Sequence, residues 1–163
     1  VATITLKGTT FHTSGQLPAL GSTPPDSALL AADLSERLLS SFPGKRVLNV
    51  FPSLDTPVCA TSVRTFNVRA AARPGVTVLN ISMDLPFAAK RFCAAEGIPG
   101  AVTLSAFRSA FPEAYGLKIT DGPLAGLCSR AVVVLDGEGK VLHAQQVPEI
   151  AQEPDYDAAL ALL

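Results

Sequence analysis

Of the three cysteines in this chain, Cys59, Cys93 and Cys128, Cys59 stands in the setting most favourable to covalent chemistry. It closes the octapeptide Pro52-Ser53-Leu54-Asp55-Thr56-Pro57-Val58-Cys59. Upstream, Arg46–Phe51 is a short apolar run rich in strand formers. Downstream, Cys59, Val63, Phe66 and Ala70 recur at helical spacing. Thr56 suits an N-cap, and Pro57 then falls at the first helical position, where a missing N–H costs nothing. Cys59 becomes the third helical residue, among free backbone donors and at the positive end of the helix dipole. Such an environment favours a thiolate. The ordinary alternative is a small buried hydrophobe. Asp55 opposes a thiolate if its carboxylate faces the sulfur, so it is expected to point elsewhere.

The pattern Pro-x-x-x-Thr-x-x-Cys, here Pro52, Thr56 and Cys59, resembles the active-site motif of peroxiredoxins. The stretch Asn49–Asn67 (NVFPSLDTPVCATSVRTFN) resembles more narrowly the bacterial thiol peroxidase branch, an atypical two-cysteine type. Asp84–Gly97 (DLPFAAKRFCAAEG), Asp121–Leu135 (DGPLAGLCSRAVVVL) and Glu149–Leu162 (EIAQEPDYDAALAL) do so too, in order along nearly the whole chain. The resemblance implies reduction of hydrogen peroxide and organic hydroperoxides by a Cys59 thiolate. It implies that the Thr56 hydroxyl, backbone N–H groups and Arg130 hold the peroxide, with Pro52 shielding the sulfur. On local grounds Arg130 is only a strand-end charge. Arg64 is read as an exposed charge or a helper.

Attack leaves a sulfenic acid, which a second thiol can condense with. Arg-Phe-Cys-x-x-Glu-Gly around Cys93 is similar to the resolving segment of thiol peroxidases, so Cys93 is the expected partner. A disulfide needs Cα atoms within about 7 Å, which two helices from neighbouring strands need not provide. Local unwinding of one helix is therefore expected to accompany the Cys59–Cys93 bond. Cys128 is read as a tolerated small residue near a strand, the sharper alternative being a third redox thiol. The resemblance further implies a thioredoxin reductant and a homodimer. A peroxide-sensing switch or adaptor using the same disulfide is the rival reading, whereas a thioredoxin-type reductase lacks the needed Cys-x-x-Cys.

Around these residues, 163 positions suit one thioredoxin-like peroxiredoxin domain spanning 1–163. Apolar content of 48% with 17% charged residues indicates a folded core. A net charge of −1 gives no reason to expect nucleic acid or an anionic membrane. No apolar run reaches the roughly 20 residues of a membrane helix. Val1–Lys7 alternates like a strand and lacks the order of a signal peptide, so cytoplasm is the expected compartment. His12 and His143 lack metal-ligand spacing to the cysteines, and no metal or cofactor is expected.

The expected elements are an N-terminal hairpin (Val1–Lys7, Thr10–Thr13), strands at Arg46–Phe51, Val76–Ser82, Ala101–Ser105, Arg130–Leu135 and Lys140–Gln146, and helices at Thr56–Ala72, Pro86–Glu96 and from Pro154 through Leu162. In Ser27–Phe42 the leucines look helical by period, but the resemblance implies a strand and a bend at Asp33-Leu34-Ser35, and this is preferred. Strand–helix–strand followed by a hairpin and a helix gives an α/β, thioredoxin-like fold, a mixed central sheet flanked by helices.

Overall fold

The computed structural model describes residues 1–98 and 100–163. Strands β1 (Thr3–Leu6) and β2 (Thr9–His12) form the expected hairpin, with Thr3 opposite His12. Its turn residues Lys7 and Gly8 both have positive φ, 50° and 83°, as a type I′ turn requires. Seven further strands build one mixed sheet: β3 (Ala28–Ala31), β4 (Glu36–Leu38), β5 (Lys45–Val50), β6 (Val76–Ser82), β7 (Val102–Ser105), β8 (Ala131–Leu135) and β9 (Val141–Gln146). Their order across the sheet is β4-β3-β7-β6-β5-β8-β9. Strand β6 is parallel to both neighbours, and the remaining pairs are antiparallel.

The helices are α1 (Pro57–Arg69), α2 (Pro86–Glu96), the four-residue α3 (Phe111–Ala114) and α4 (Tyr156–Leu160). Alternation along the central strands divides the core. Leu48, Val50, Leu79, Ile81, Val133 and Leu135 pack on one face with Phe111 and Tyr115. On the other, Val47, Val78, Val132 and Val134 pack against Phe66 of α1 and Ala159 and Leu160 of α4. Beyond the carboxyl end of β5 that second face continues as a smaller cluster of Phe51, Leu54, Cys59, Val63, Ala89 and Phe92, which joins α1 to α2.

Ser27–Phe42 follows the strand-and-bend reading. The Asp33 carboxylate accepts hydrogen bonds from both the N–H and the hydroxyl of Ser35, closing a turn that the helical period does not anticipate. Leu30 pairs with Ser105 of β7, while Leu34 and Leu38 of the supposed helical stripe are 51% and 48% exposed. Two expected helices are shorter than their patterns. Helix α1 ends at Arg69, and α4 starts after Asp155, whose carboxylate accepts the Ala158 N–H as an N-cap. Among the described residues no helix is long and apolar enough to cross a membrane.

Candidate active site

The site forms where β5 runs into α1 beside the start of β8. Val50, the last residue of β5, lies opposite Ala131, the first of β8, so the residue before Ala131 is delivered to the loop leading into α1. That residue is Arg130. Its Nη2 donates a hydrogen bond to Cys59 Sγ at 3.2 Å, across 71 residues of sequence. Cys59 is 0% and Arg130 2% exposed, so the contact is screened from water. Arg130 Nε donates to the Ile150 carbonyl at 2.8 Å, and its own carbonyl accepts from Val147 N–H and Gln146 Nε2. With both ends tied, the guanidinium cannot leave the sulfur without breaking other bonds. Among the described residues Nη1 has no partner. A buried donor left in this way costs free energy unless something accepts from it.

Thr56 occupies the N-cap position of α1, and Cys59 is its third residue, as the sequence indicates. The cap itself differs from expectation. Residues 53–56 close as a turn in which the Ser53 carbonyl accepts the Thr56 N–H at 3.3 Å, and the same carbonyl captures the Thr56 hydroxyl at 2.9 Å. That hydroxyl therefore does not accept a helix N–H, and its lone pairs stay available to a ligand. Pro52 is buried beneath this turn, whereas Asp55 is exposed and its carboxylate makes no hydrogen bond to the sulfur. A cleft of about 390 Å³ opens over the turn between α1 and α2, walled by Leu54, Pro57, Ala60 and Phe92 with Asp55 and Arg91 at its polar edge. It shares Leu54 and Phe92 with the apolar cluster that encloses Cys59.

Cys93, on α2, is half-buried at the edge of that cluster, and burial pushes its thiol up. Cys59 and Cys93 are both free thiols on separate helices. An ion pair between Arg64 of α1 and Glu96 of α2 lashes the two helices together, which gives Arg64 a structural task. Cys128 lies across the sheet in the larger core, its thiol pushed up to about 12, first by burial. Among the described residues no group of three or more His, Cys, Asp or Glu side chains could hold a metal ion. His12 pairs instead with Asp121.

Two features escape sequence reasoning. Asn49 Nδ2 donates to Ser62 Oγ and Asn80 Oδ1, Ser62 Oγ donates to the Cys59 carbonyl, and Asn80 Nδ2 donates to the Val102 carbonyl. This buried polar ladder underpins the turn bearing Cys59, and two asparagines inside apolar strand runs are its only signal. The second is Asp84, which binds the 53–56 turn from below and is signalled only by a polar Ser82-x-Asp84 pair at a strand end.

The redoxin family model matches residues 19–160. Thiol peroxidases of Mycobacterium tuberculosis and Mycobacterium bovis are 57% identical over 164 residues, covering 100% of this chain and 99% of theirs. A peroxiredoxin-like protein from Aquifex aeolicus superposes with a TM-score of 0.91 at 40% identity, over 99% of this chain and 95% of that one. A thiol peroxidase from Chromobacterium violaceum superposes equally well, at 0.91, with 22% identity over the same shares.

Proposed function

The chain belongs to the redoxin family as a thiol peroxidase of the peroxiredoxin type, and from that membership we propose that Cys59 is its peroxide-attacking thiol and Cys93 its resolving thiol. Thiol-dependent reduction of peroxides is its activity. The observation that carries the residue assignment is the buried Arg130–Cys59 contact, which sets a fixed cation against a thiol at a helix start.

The Cys59 thiolate attacks one peroxide oxygen in line with the O–O bond. The sulfur gains S–OH, the O–O bond breaks, and the other oxygen leaves as an alkoxide that takes up a proton. Arg130 and the backbone N–H groups of the first turn of α1 meet the charge that develops on the oxygens. The Thr56 oxygen accepts the peroxide O–H and fixes its orientation. Pro52 keeps water from the sulfur. Cys93 then condenses with the sulfenic acid, forming the disulfide and releasing water. A thioredoxin-type dithiol returns both thiols by exchange. With three free cysteines the protein is suited to the reducing cytoplasm. It acts as a homodimer, a second copy covering Leu34, Leu85, Phe87 and Phe107, which are exposed together beside α2.

The test treats fully reduced protein with one equivalent of cumene hydroperoxide and reads the products by intact mass and peptide mapping. Loss of two hydrogens at a Cys59–Cys93 linkage, absent in Cys59→Ser, supports the assignment. A Cys59–Cys128 linkage overturns the resolving role of Cys93, and unchanged thiols overturn both.

A further inference from the structure

Both cysteine-bearing helices begin without a side-chain cap. Thr56 before α1 and Leu85 before α2 accept no helix N–H through their side chains, and neither first turn carries an acidic residue. Such ends leave backbone donors open and fray readily. One carboxylate lies between them. Asp84 follows β6 and immediately precedes the first residue flanking α2. Its Oδ1 accepts from Ser53 Oγ at 2.8 Å, and its Oδ2 accepts from the Leu54 N–H and from Ser82 Oγ, both at 2.7 Å. Ser82 Oγ in turn accepts the Asp84 N–H at 3.2 Å, which fixes the carboxylate to the strand end. Ser53 passes the constraint on: its hydroxyl oxygen accepts the Asp55 N–H, and its carbonyl accepts from Thr56.

We propose that Asp84 is a positioning residue that latches the turn before Cys59 to the start of the Cys93 helix, holding the peroxide site closed while Cys59 is reduced and releasing when the Cys59–Cys93 disulfide forms. This rests on the resolving role assigned to Cys93. Asp84 acts only through Ser53 and Leu54, which set where the Thr56 hydroxyl and the first turn of α1 stand. Charge-assisted bonds of this kind are among the stronger local constraints in a protein. Cys59 and Cys93 stand as free thiols on separate helices, and where a helix start unwinds for Cys93 to condense with the Cys59 sulfenic acid, releasing water, the two starts move relative to each other. The latch opposes that movement. It therefore favours the first chemical step and retards the second.

Opposite effects on two steps distinguish a latch from a merely structural carboxylate, whose loss would impair both. Rapid-quench intact mass on wild type, Asp84→Asn, Asp84→Ala and Ser53→Ala separates sulfenic acid formation from disulfide formation. In Asp84→Ala the peroxide step slows about tenfold or more, the consequence of losing charge-assisted bonds, while the disulfide step accelerates several-fold. Asp84→Asn keeps an acceptor for the Leu54 N–H and lies between the extremes. Ser53→Ala removes the Oδ1 arm together with the acceptor of the Asp55 N–H, leaves both Oδ2 bonds in place, and shows the same opposed changes at smaller amplitude, which keeps the test readable should Asp84→Ala fail to fold. Both steps slowing together, or neither moving by more than about twofold, overturns the latch. Peptide mapping of the wild-type product separates the two layers. A Cys59–Cys93 link with unopposed rates overturns the latch alone, whereas a missing link overturns the Cys93 assignment and the latch with it.

Discussion

Replacing Arg130 tests the central contact most directly. In the folded protein its guanidinium divides two bonds between two acceptors, Nε to the Ile150 carbonyl at 2.8 Å and Nη2 to Cys59 Sγ at 3.2 Å. A lysine keeps the charge but is a point donor on a flexible stem, and cannot present the same fork to both. Arg130→Lys therefore forfeits one charge-assisted bond in the transition state, about 1.5–3 kcal/mol, or roughly 10- to 150-fold in kcat/KM. Arg130→Met removes the charge altogether and leaves the Ile150 carbonyl without that donor, so a loss of about 10²- to 10³-fold is expected together with about 1–3 kcal/mol of stability. Second-order rate constants from competition for hydrogen peroxide read the first quantity, and urea unfolding reads the second. If Arg130→Met retained kcat/KM within about threefold of wild type while remaining folded, the guanidinium would play no part in the chemistry.

Cys128, buried and with its thiol pushed up to about 12, stays protonated across the physiological range. It should resist alkylation in native protein and react once denatured, and Cys128→Ala should leave peroxide turnover within about twofold of wild type. Asn49→Leu strips Asn80 Oδ1 of its donor and should cost about 1–3 kcal/mol in urea unfolding. Adding Asn80→Leu should cost less than the sum by at least ~0.5 kcal/mol, and strict additivity would count against the ladder. Burial holds the His143 ring below its ordinary value of 6.5, with Asp155 opposing the shift. Protonation thus favours the unfolded chain: the stability is fully present above about pH 6.5 and is lost as pH falls through the lower folded value. In His143→Leu the dependence of the urea midpoint on pH below about 6.5 should flatten.

The segment that places Cys59 at the start of a helix is local, and so it is readable. A buried run, a cap-type threonine and a proline at the first helical position occur within a dozen residues, and β5 and α1 follow them. Arg130 shows the opposite case. Nothing in its neighbourhood marks it, because its place beside Cys59 arises from strand pairing that sets Val50 against Ala131, and only the family resemblance points to it. In sequence Cys93 is set apart from Cys128 only by the Arg-Phe-Cys-x-x-Glu-Gly resemblance, to which the structure adds the sheet face on which each lies. Asp84 was invisible for the same reason as Arg130, its partners Ser53 and Leu54 lying about 30 residues upstream. Helical period misled in Ser27–Phe42, where an aspartate-centred turn and pairing with β7 outweighed the leucine spacing. The four-residue α3 is too short to leave a periodic trace.

The way Arg130 is tethered bears on synthesis as well as catalysis. Its Nε is held by the carbonyl of Ile150, and the Ile150 N–H is held in turn by the carbonyl of Thr5 in the N-terminal hairpin. Cys59 emerges from the ribosome long before Ile150, and contacts this distant in sequence form late. A growing or partly unfolded chain therefore carries the thiol without the guanidinium beside it. The guanidinium is fixed against the sulfur only once the Ile150 segment has docked on the Thr5 strand, so on the proposed role of Arg130 the site is assembled by contacts far apart in sequence.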